Sequence, residues 1–225
     1  YISGNRFSMC LRSDRRGALI RVRYALFLAF LVFCLQACEH RVKTLAVQPF
    51  NGCDAALVDT IAATLVEIYG LPVLTLKPSP MPDGSFINVK SPRYRADKII
   101  ADLKARLPDS IDHVLGFTHF DISTTKRDEN GNVKDPAYKY EDWGVFGLGY
   151  RPGASCVVST FRLKHANKQH FIDRVKKVAV HEIGHNLGLP HCPNTECVMQ
   201  DAAESISTID GVELKLCEAC KKMLL

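Results

Sequence analysis

The sequence lacks an apolar run long enough to cross a membrane, an internal repeat, and a net charge in its main part. The longest apolar run, Tyr24–Leu35, has twelve residues, whereas a membrane-spanning helix needs about 20. Of the 29 basic and 24 acidic residues, six arginines and Asp14 fall in residues 1–37, which leaves 23 of each sign in residues 38–225. A segment without net charge has no field that attracts nucleic acid, so we expect no nucleic-acid partner.

The composition also excludes two structural classes. Nine cysteines among 225 residues are too few for a small scaffold held together by disulfides. A hydrophobic fraction of 47% with 24% charged residues is too apolar for a disordered chain. The length favours one domain with an appended segment. We therefore expect a single globular domain at residues 38–225, preceded by a distinct segment at residues 1–37.

The N-terminal segment resembles a bacterial export signal. Arg12–Arg23 is basic, Tyr24–Leu35 is apolar, and this order is typical of such signals. The following Leu35-Gln36-Ala37-Cys38 is similar to the lipobox of bacterial lipoproteins. The resemblance implies lipidation of Cys38 and a membrane-anchored protein of the cell envelope, on its periplasmic or extracellular face. Two alternatives stay open, namely an uncleaved N-terminal membrane anchor and a cytoplasmic protein whose leader is not functional.

Residues 41–225 alternate between strand and helix patterns. Strands are predicted at Lys43–Phe50, Pro72–Leu76, Ile111–Phe120, Trp143–Tyr150 and Ala154–Leu163. Helices are predicted at Asp54–Tyr69, Tyr94–Leu107, Lys168–Leu189 and near the C-terminus, and loops at Lys77–Arg93 and Lys126–Tyr140. This order predicts an α/β (α+β) fold, in which a mixed twisted sheet is covered by helices.

The long predicted helix ends in a pattern of histidines that suits a metal ion. It reads His181-Glu182-Ile183-Gly184-His185, followed by Asn186-Leu187-Gly188-Leu189-Pro190-His191. Two histidines four residues apart lie on one face of a helix, where both imidazoles reach one zinc ion. Gly188 permits a sharp turn because glycine tolerates a positive φ, and the turn brings His191 back as the third ligand.

Glu182 gives this site the features of a hydrolase. It follows the first histidine directly, so its carboxylate lies near the metal without having to bind it. It is the predicted general base, which takes a proton from the water that the zinc activates. Three protein ligands leave a fourth position open for water, as catalytic zinc sites require. We therefore expect a catalytic rather than a structural zinc site.

A second group of metal ligands follows the histidines. It consists of four cysteines in two close-spaced pairs: Cys192, Cys197, Cys217 and Cys220. Four thiolates suit a closed tetrahedral zinc site, which would be structural and would attach the C-terminal tail to the loop of His191. Two disulfides are the alternative in an oxidising compartment. Cys53 and Cys156 lie in helix and strand patterns, and we expect them to be ordinary buried thiols.

The run from His181 to Cys220 resembles the signature of the archaemetzincins, a family of the metzincin clan of zinc peptidases. It matches that signature at every position over about 40 residues. The resemblance implies two zinc ions, one catalytic at His181, His185 and His191 and one structural at the four cysteines. It also implies that Met199 is the methionine of the clan's Met-turn, a hydrophobic floor beneath the metal.

The sequence leaves several alternatives open for the activity of the protein. The resemblance favours aminopeptidase-like cleavage of short peptides, but an endopeptidase and an amidase acting on cell-wall peptides use the same chemistry. A non-catalytic zinc- or peptide-binding module displayed on a membrane is the alternative from another class. We expect a monomer that binds a peptide or protein substrate along the strand Trp143–Tyr150 and contacts the membrane through its N-terminal segment.

Overall fold

In the computed structural model, which describes residues 42–201 and 205–224, the strands form two sheets. The strands are β1 (Leu45–Pro49), β2 (Val73–Thr75), β3 (Phe86–Asn88), β4 (Pro92–Arg95), β5 (His113–Thr118), β6 (Ile122–Thr124), β7 (Trp143–Val145), β8 (Gly147–Gly149) and β9 (Ser155–Ser159). The helices are α1 (Ala55–Tyr69), α2 (Ala96–Ala105), α3 (Ala137–Tyr140), α4 (Lys168–Asn186), α5 (Ile206–Gly211) and α6 (Glu218–Lys222). The predicted export segment and Cys38 lie outside the described residues.

The larger sheet has the strand order β2-β1-β5-β9-β8. The first four strands run parallel, and β8 pairs antiparallel with β9, so that β8 forms one edge. Parallel strands need crossover connections, which α1 and α2 supply. The sheet is therefore covered on both faces, in agreement with the near-complete burial of β1, β5 and β9.

Two hydrophobic clusters cover the two faces of the larger sheet. Alternate residues of β1 separate into them, because successive side chains of a strand point to opposite faces. Leu45 and Val47 join the cluster that includes α1 and α4, whereas Ala46 joins the cluster that includes α2. The long helix α4 is thus held against the sheet by its apolar side, and its polar side is free to carry the histidines.

The smaller sheet has the order β3-β4-β6-β7 and is also mixed. A short 3₁₀ turn at Phe161–Leu163 follows β9 and carries Arg162. The guanidinium of Arg162 makes a two-point ion pair with Asp121, next to β6, at 2.6 and 2.8 Å. This pair joins the end of β9 in the larger sheet to the smaller sheet.

The observed elements confirm the predicted fold class, but the sequence pattern misplaces some boundaries. Predicted as one strand, Trp143–Tyr150 divides at Phe146, so that β7 pairs in the smaller sheet and β8 in the larger one. The predicted loop Lys77–Arg93 contains β3 and the start of β4, and α2 begins at Ala96 rather than Tyr94. Strands of three or four residues are too short to show a period, so their pairing partners decide their structure.

The described residues include no helix that is long and apolar enough to span a membrane. Contacts between residues group Lys43–Leu225 into one compact unit. Within this unit β8, α4 and the segment after α4 come together, and this is where the predicted site residues lie.

Candidate metal centre and active site

Helix α4 carries the first two histidines and ends just before the third. Its N-cap is Asn167, whose side chain accepts a hydrogen bond from the His170 backbone N–H. After the helix, Gly188 adopts a φ of +102°, and the Leu189 N–H returns to the Gly184 carbonyl at 2.9 Å. This glycine-dependent end reverses the chain direction, as the sequence predicts.

The three histidines are brought together by this turn. Their ring centroids are separated by 4.6 Å (His181–His185), 4.8 Å (His185–His191) and 5.4 Å (His181–His191). One ligand atom from each of them lies within 4.8 Å of the other two. Burial lowers the pKa of His181 to about 4 and also lowers the pKa of His185. Both imidazoles are therefore neutral at physiological pH, which is the form that binds a metal.

The orientation of each imidazole is fixed through Nδ1. His181 Nδ1 lies 2.9 Å from the Val198 carbonyl oxygen, and His185 Nδ1 lies 2.9 Å from that of Leu189. His191 Nδ1 lies 3.3 Å from a carboxylate oxygen of Asp201. An acceptor at Nδ1 favours the tautomer that carries its proton there, which leaves Nε2 of that ring as the atom available to a metal.

Met199, which the resemblance assigns to the Met-turn, packs against the helix that carries His181 and His185. Its side chain is fully buried, and its sulfur packs against Gly184, where a Cβ atom would overlap it. The Tyr69 hydroxyl packs against the same glycine and donates a hydrogen bond of 2.6 Å to the Val180 carbonyl. Because Gly184 has no side chain, the apolar side chain of Met199 can pack directly against α4 at this position.

Glu182 is buried against two glycines of β8. A Cβ atom at Gly147 would come within 2.7 Å of the Glu182 carboxylate, and one at Gly149 within 3.1 Å of it. The strand backbone therefore forms a cradle in which the carboxylate fits only because these two positions have no side chain. Burial raises the pKa of Glu182 to about 8, so the carboxyl group is a stronger proton acceptor than an exposed glutamate.

A cavity of about 320 Å³ opens beside the histidines and Glu182. It lies between β8 on one side and α4 and α5 on the other. Its apolar lining residues include Val145, Phe146, Leu148, Val178, Val198, Ile209 and Val212. The cavity is large enough for an amino-acid side chain and reaches the groups that would perform chemistry.

The four predicted cysteines also come together. The Sγ atoms of Cys192 and Cys217 are 3.7 Å apart, and those of Cys197 and Cys220 are 3.8 Å apart. All four are free thiols, and one ligand atom from each lies within 4.8 Å of the others. Four sulfurs bound to one zinc at about 2.3 Å in a tetrahedron would be about 3.8 Å apart, so the spacing of the four free thiols fits a zinc ion.

Backbone hydrogen bonding favours the thiolate form at Cys217, whereas burial raises the pKa of Cys192 and of Cys220. The Cys217 backbone N–H donates to the Cys197 sulfur at 3.3 Å. A hydrogen bond from the Cys220 backbone lowers the pKa of the Cys217 thiol to about 7. Such contacts stabilise negative charge on sulfur before any metal is bound.

The remaining histidines and cysteines of the described residues stay apart from both groups. Cys156 is buried in β9, as the sequence predicts, whereas Cys53 is only half-buried. His165 and His170 stack on each other. His113, on β5, contacts the Gly153 carbonyl, and His119 stacks on Phe120.

Several residues that shape the site escape the sequence analysis. The side-chain amide of Asn186 donates to the carbonyls of Tyr150 and Ser155, both at 3.1 Å, which ties the β8–β9 turn to the end of α4. Lys177 lines the cavity one helical turn before His181. The alternation of Gly147 and Gly149 was a visible signal of the carboxylate cradle, whereas Asn186 and Lys177 are ordinary helix residues in the sequence.

Comparison with known proteins agrees with this geometry. The model of peptidase family M54 matches residues 45–225. The archaemetzincin of Haloquadratum walsbyi is 30% identical over 187 residues, which cover 79% of this chain and 97% of that protein. The chain belongs to the archaemetzincin family. The expectation of a zinc metallopeptidase acting on a peptide or protein substrate is confirmed at the level of the family.

Solved archaemetzincin structures share the fold. The structure from Methanopyrus kandleri superposes with a TM-score of 0.67 at 26% identity, over 84% of this chain and 96% of that chain. The structure from Archaeoglobus fulgidus, in complex with malonate, gives a TM-score of 0.61 at 30% identity, over 80% and 98%. The predicted α/β architecture is therefore that of the archaemetzincins.

Proposed function

We propose that His181, His185 and His191 hold a catalytic zinc ion with which this archaemetzincin hydrolyses peptide bonds, and that Glu182 is the general base. The observation that carries this proposal is the convergence of three imidazoles, each held at Nδ1, beside a buried carboxylate and an open cavity. A purely structural site would be closed by a fourth protein ligand, whereas this group faces a cavity.

The residues of the chain divide the reaction between them. Zinc, when bound, supplies a Lewis acid that polarises the scissile carbonyl and acidifies water. Glu182 would take a proton from the attacking water, because its carboxyl group lies in the cavity wall beside the histidines and burial increases its proton affinity. The same carboxyl group then gives this proton to the leaving amine. The cradle of Gly147 and Gly149 holds the carboxylate in one place during both transfers.

We expect the substrate backbone to lie along β8. This strand is an edge of the larger sheet, and Gly147–Gly149 all line the cavity. An extended peptide adds to such an edge through main-chain hydrogen bonds. The proposal narrows the predicted binding strand Trp143–Tyr150 to its second half, since β7 pairs in the smaller sheet. The apolar cavity beyond His181 would then receive a substrate side chain.

The second zinc ion is proposed for Cys192, Cys197, Cys217 and Cys220. The sulfur–sulfur distances of 3.7 and 3.8 Å fit a tetrahedral ion. The ion would be structural because four thiolates occupy all its positions. It would link the loop that carries His191 to α6, so the two sites would support each other.

Metal analysis and peptide cleavage test these proposals together. The zinc-loaded protein should hold two zinc ions per chain, and a His185→Gln variant should hold one. The loaded protein should cleave members of a mixed peptide library, and a chelator should abolish the cleavage. Peptides with free and blocked N-termini separate an aminopeptidase from an endopeptidase. A protein with two bound zinc ions that cleaves no peptide would contradict the peptidase proposal.

The location at the cell envelope rests on the N-terminal sequence alone. We propose that Cys38 is lipidated, because a basic stretch, an apolar run and a lipobox-like sequence precede it in that order. An intact-mass measurement on the membrane fraction should find a chain that begins at a lipidated Cys38. A chain that begins near Met9 without lipid would contradict this proposal.

A further inference from the structure

Lys177 places a positive charge in the wall of the catalytic cavity. It lies four residues before His181, and residues four apart share one face of a helix. Both residues line the cavity, together with Val178 of α4 and with Ile209 and Val212 at α5. A substrate side chain that enters beside His181 would therefore pass apolar groups on its way to the lysine.

The ammonium group of Lys177 is held in place by neutral groups. Its Nζ donates to the carbonyl oxygens of Ile209 at 3.0 Å and Asp210 at 3.3 Å. No carboxylate lies within 4.0 Å of it in the part of the chain that the structure describes. Arg174, one turn earlier, differs in this respect because it forms a two-point ion pair with Asp210 at 2.6 and 2.7 Å.

Lys177 is half-buried, and among residues 42–201 and 205–224 its ammonium group has no ionic partner, so it can bind an anion. Two carbonyls use two of its three N–H groups, so one donor is available to a ligand. Buried charges are normally paired, because removing them from water is costly. Glu182 is the one carboxylate among the described residues that line the cavity. The cavity wall thus offers positive charge to whatever enters beyond the metal site.

We propose that Lys177 binds a carboxylate of the substrate, so that the enzyme prefers peptides with an acidic group beside the scissile bond. This inference rests on the proposed peptidase function and adds the substrate class to it. The carboxylate has two possible sources, an acidic side chain and the C-terminus of a short peptide. Glutamate suits the cavity well, because its two methylene groups would pass the apolar wall before its carboxylate meets Lys177.

Four matched peptides test the proposal and separate the two sources. They combine glutamate or glutamine beside the cleaved bond with a free or an amidated C-terminus, after a library has located the cleaved bond. Wild-type enzyme should favour one carboxylate over its amide by about tenfold in kcat/KM, the effect of one charge-assisted hydrogen bond. A preference for glutamate identifies the side chain, and a preference for the free acid identifies the C-terminus.

Variants of Lys177 distinguish two roles of this residue: binding of the substrate carboxylate, and hydrogen bonding to the backbone of α5. Lys177→Gln should reduce the acid-to-amide ratio to near one, whereas Lys177→Arg should keep the preference. Lys176→Gln removes a neighbouring lysine that does not line the cavity, and should leave the ratio unchanged. A merely structural role would lower both rates of a matched pair equally and leave the ratio intact.

The preference for acid over amide can also be measured as a ratio of binding affinities, which does not depend on turnover. Calorimetry with zinc-loaded Glu182→Gln protein and the same four peptides should reproduce the preference for the carboxylate. Equal affinities for acid and amide, or a ratio that survives Lys177→Gln, would overturn the proposal for Lys177. If the library shows no cleavage but zinc-loaded Glu182→Gln protein still captures its glutamate peptides in preference to matched glutamine peptides, the proposed peptidase function is overturned instead.

Discussion

The histidine group and the cysteine group are neighbours in the sequence, where His191 is followed by Cys192, yet they are built differently. The histidines face a cavity, and a buried carboxylate lies beside them. The cysteines surround one another, and Cys197 and Cys220 are buried. Three donors that leave an open side suit chemistry, whereas four donors that close on themselves suit stability.

The two groups also differ in what holds their ligands. His181 and His185 project from one continuous helix, and each ring is hydrogen-bonded to a backbone carbonyl. The cysteines come from two segments separated by α5, namely the loop after α4 and the start of α6. A helix positions its side chains without help from a metal, but two loops depend on the ion that joins them. We therefore expect that removal of the metal abolishes activity while the histidine helix stays folded. Around the cysteine group, the same treatment should unfold the two segments that the ion joins.

Glu182→Gln should give the largest effect, and it should be confined to the histidine group. Loss of the general base should lower kcat by about 10²- to 10⁴-fold, which corresponds to about 3–5 kcal/mol of activation free energy. Zinc content should stay at the wild-type value because Glu182 is not a proposed ligand. Glu67→Gln, on an exposed position of α1, is the control. Unchanged turnover in Glu182→Gln would exclude this residue as the base.

Cys197→Ser should act on the cysteine group first and on the histidines second. The variant should lose one zinc ion, and its free energy of unfolding should fall by about 3 kcal/mol or more, since structural zinc contributes folding energy. Activity should fall as well, because the loop that carries His191 loses its attachment. Elemental analysis and denaturant unfolding measure these effects, with Cys53→Ser as the control outside the cluster. Retention of all zinc by Cys197→Ser would remove the structural site.

Gly184→Ala tests the packing of Met199 against α4. The added methyl group would overlap the Met199 sulfur and press on the Tyr69 hydroxyl. Such overpacking should destabilise the protein by about 1–3 kcal/mol. A second change, Met199→Ala, should recover part of this loss. Gly211→Ala, where a Cβ meets nothing within 4 Å, should be neutral or slightly stabilising in the same unfolding experiment.

Asp210→Asn should have the smallest effect and should reveal a pH dependence. The hydrogen bond from Arg174 lowers the pKa of Asp210 to about 2. A lowered pKa means that the ion pair stabilises the folded state above about pH 4 and is lost as pH falls towards 2. The variant should therefore lose about 1–2 kcal/mol near neutral pH, after allowance for solvent screening.

The same pH series can also show that ionisation of Asp210 is not the source of this stability. Unfolding measured from pH 2 to 7 should show wild type and Asp210→Asn converging at the acidic end. A difference between them that stays constant down to pH 2 would exclude ionisation of Asp210 as its source. Because Arg174 and Lys177 both hold α5, this variant also reports how firmly that wall of the cavity is attached.

The two groups of candidate metal ligands could be predicted from the sequence because their positions follow from local rules. Histidines four apart on a helix share one face, and a glycine after the helix permits the turn to His191, which the φ of Gly188 shows. The four cysteines were recognisable by spacing. Pairing of the short strands was not predictable, as the division of Trp143–Tyr150 at Phe146 shows, because three-residue strands carry too little local signal.

The sequence by itself determined which side chains could bind metal and which family signature they form, since these depend on residue type and spacing along the chain. The tertiary structure decided the surroundings of those side chains: the glycine cradle of Glu182, the Met199 floor against Gly184, and Lys177 in the cavity wall. Each of these contacts joins elements distant in the sequence. Burial and charge at such contacts follow from packing, so they become visible only when the strands and helices are assembled.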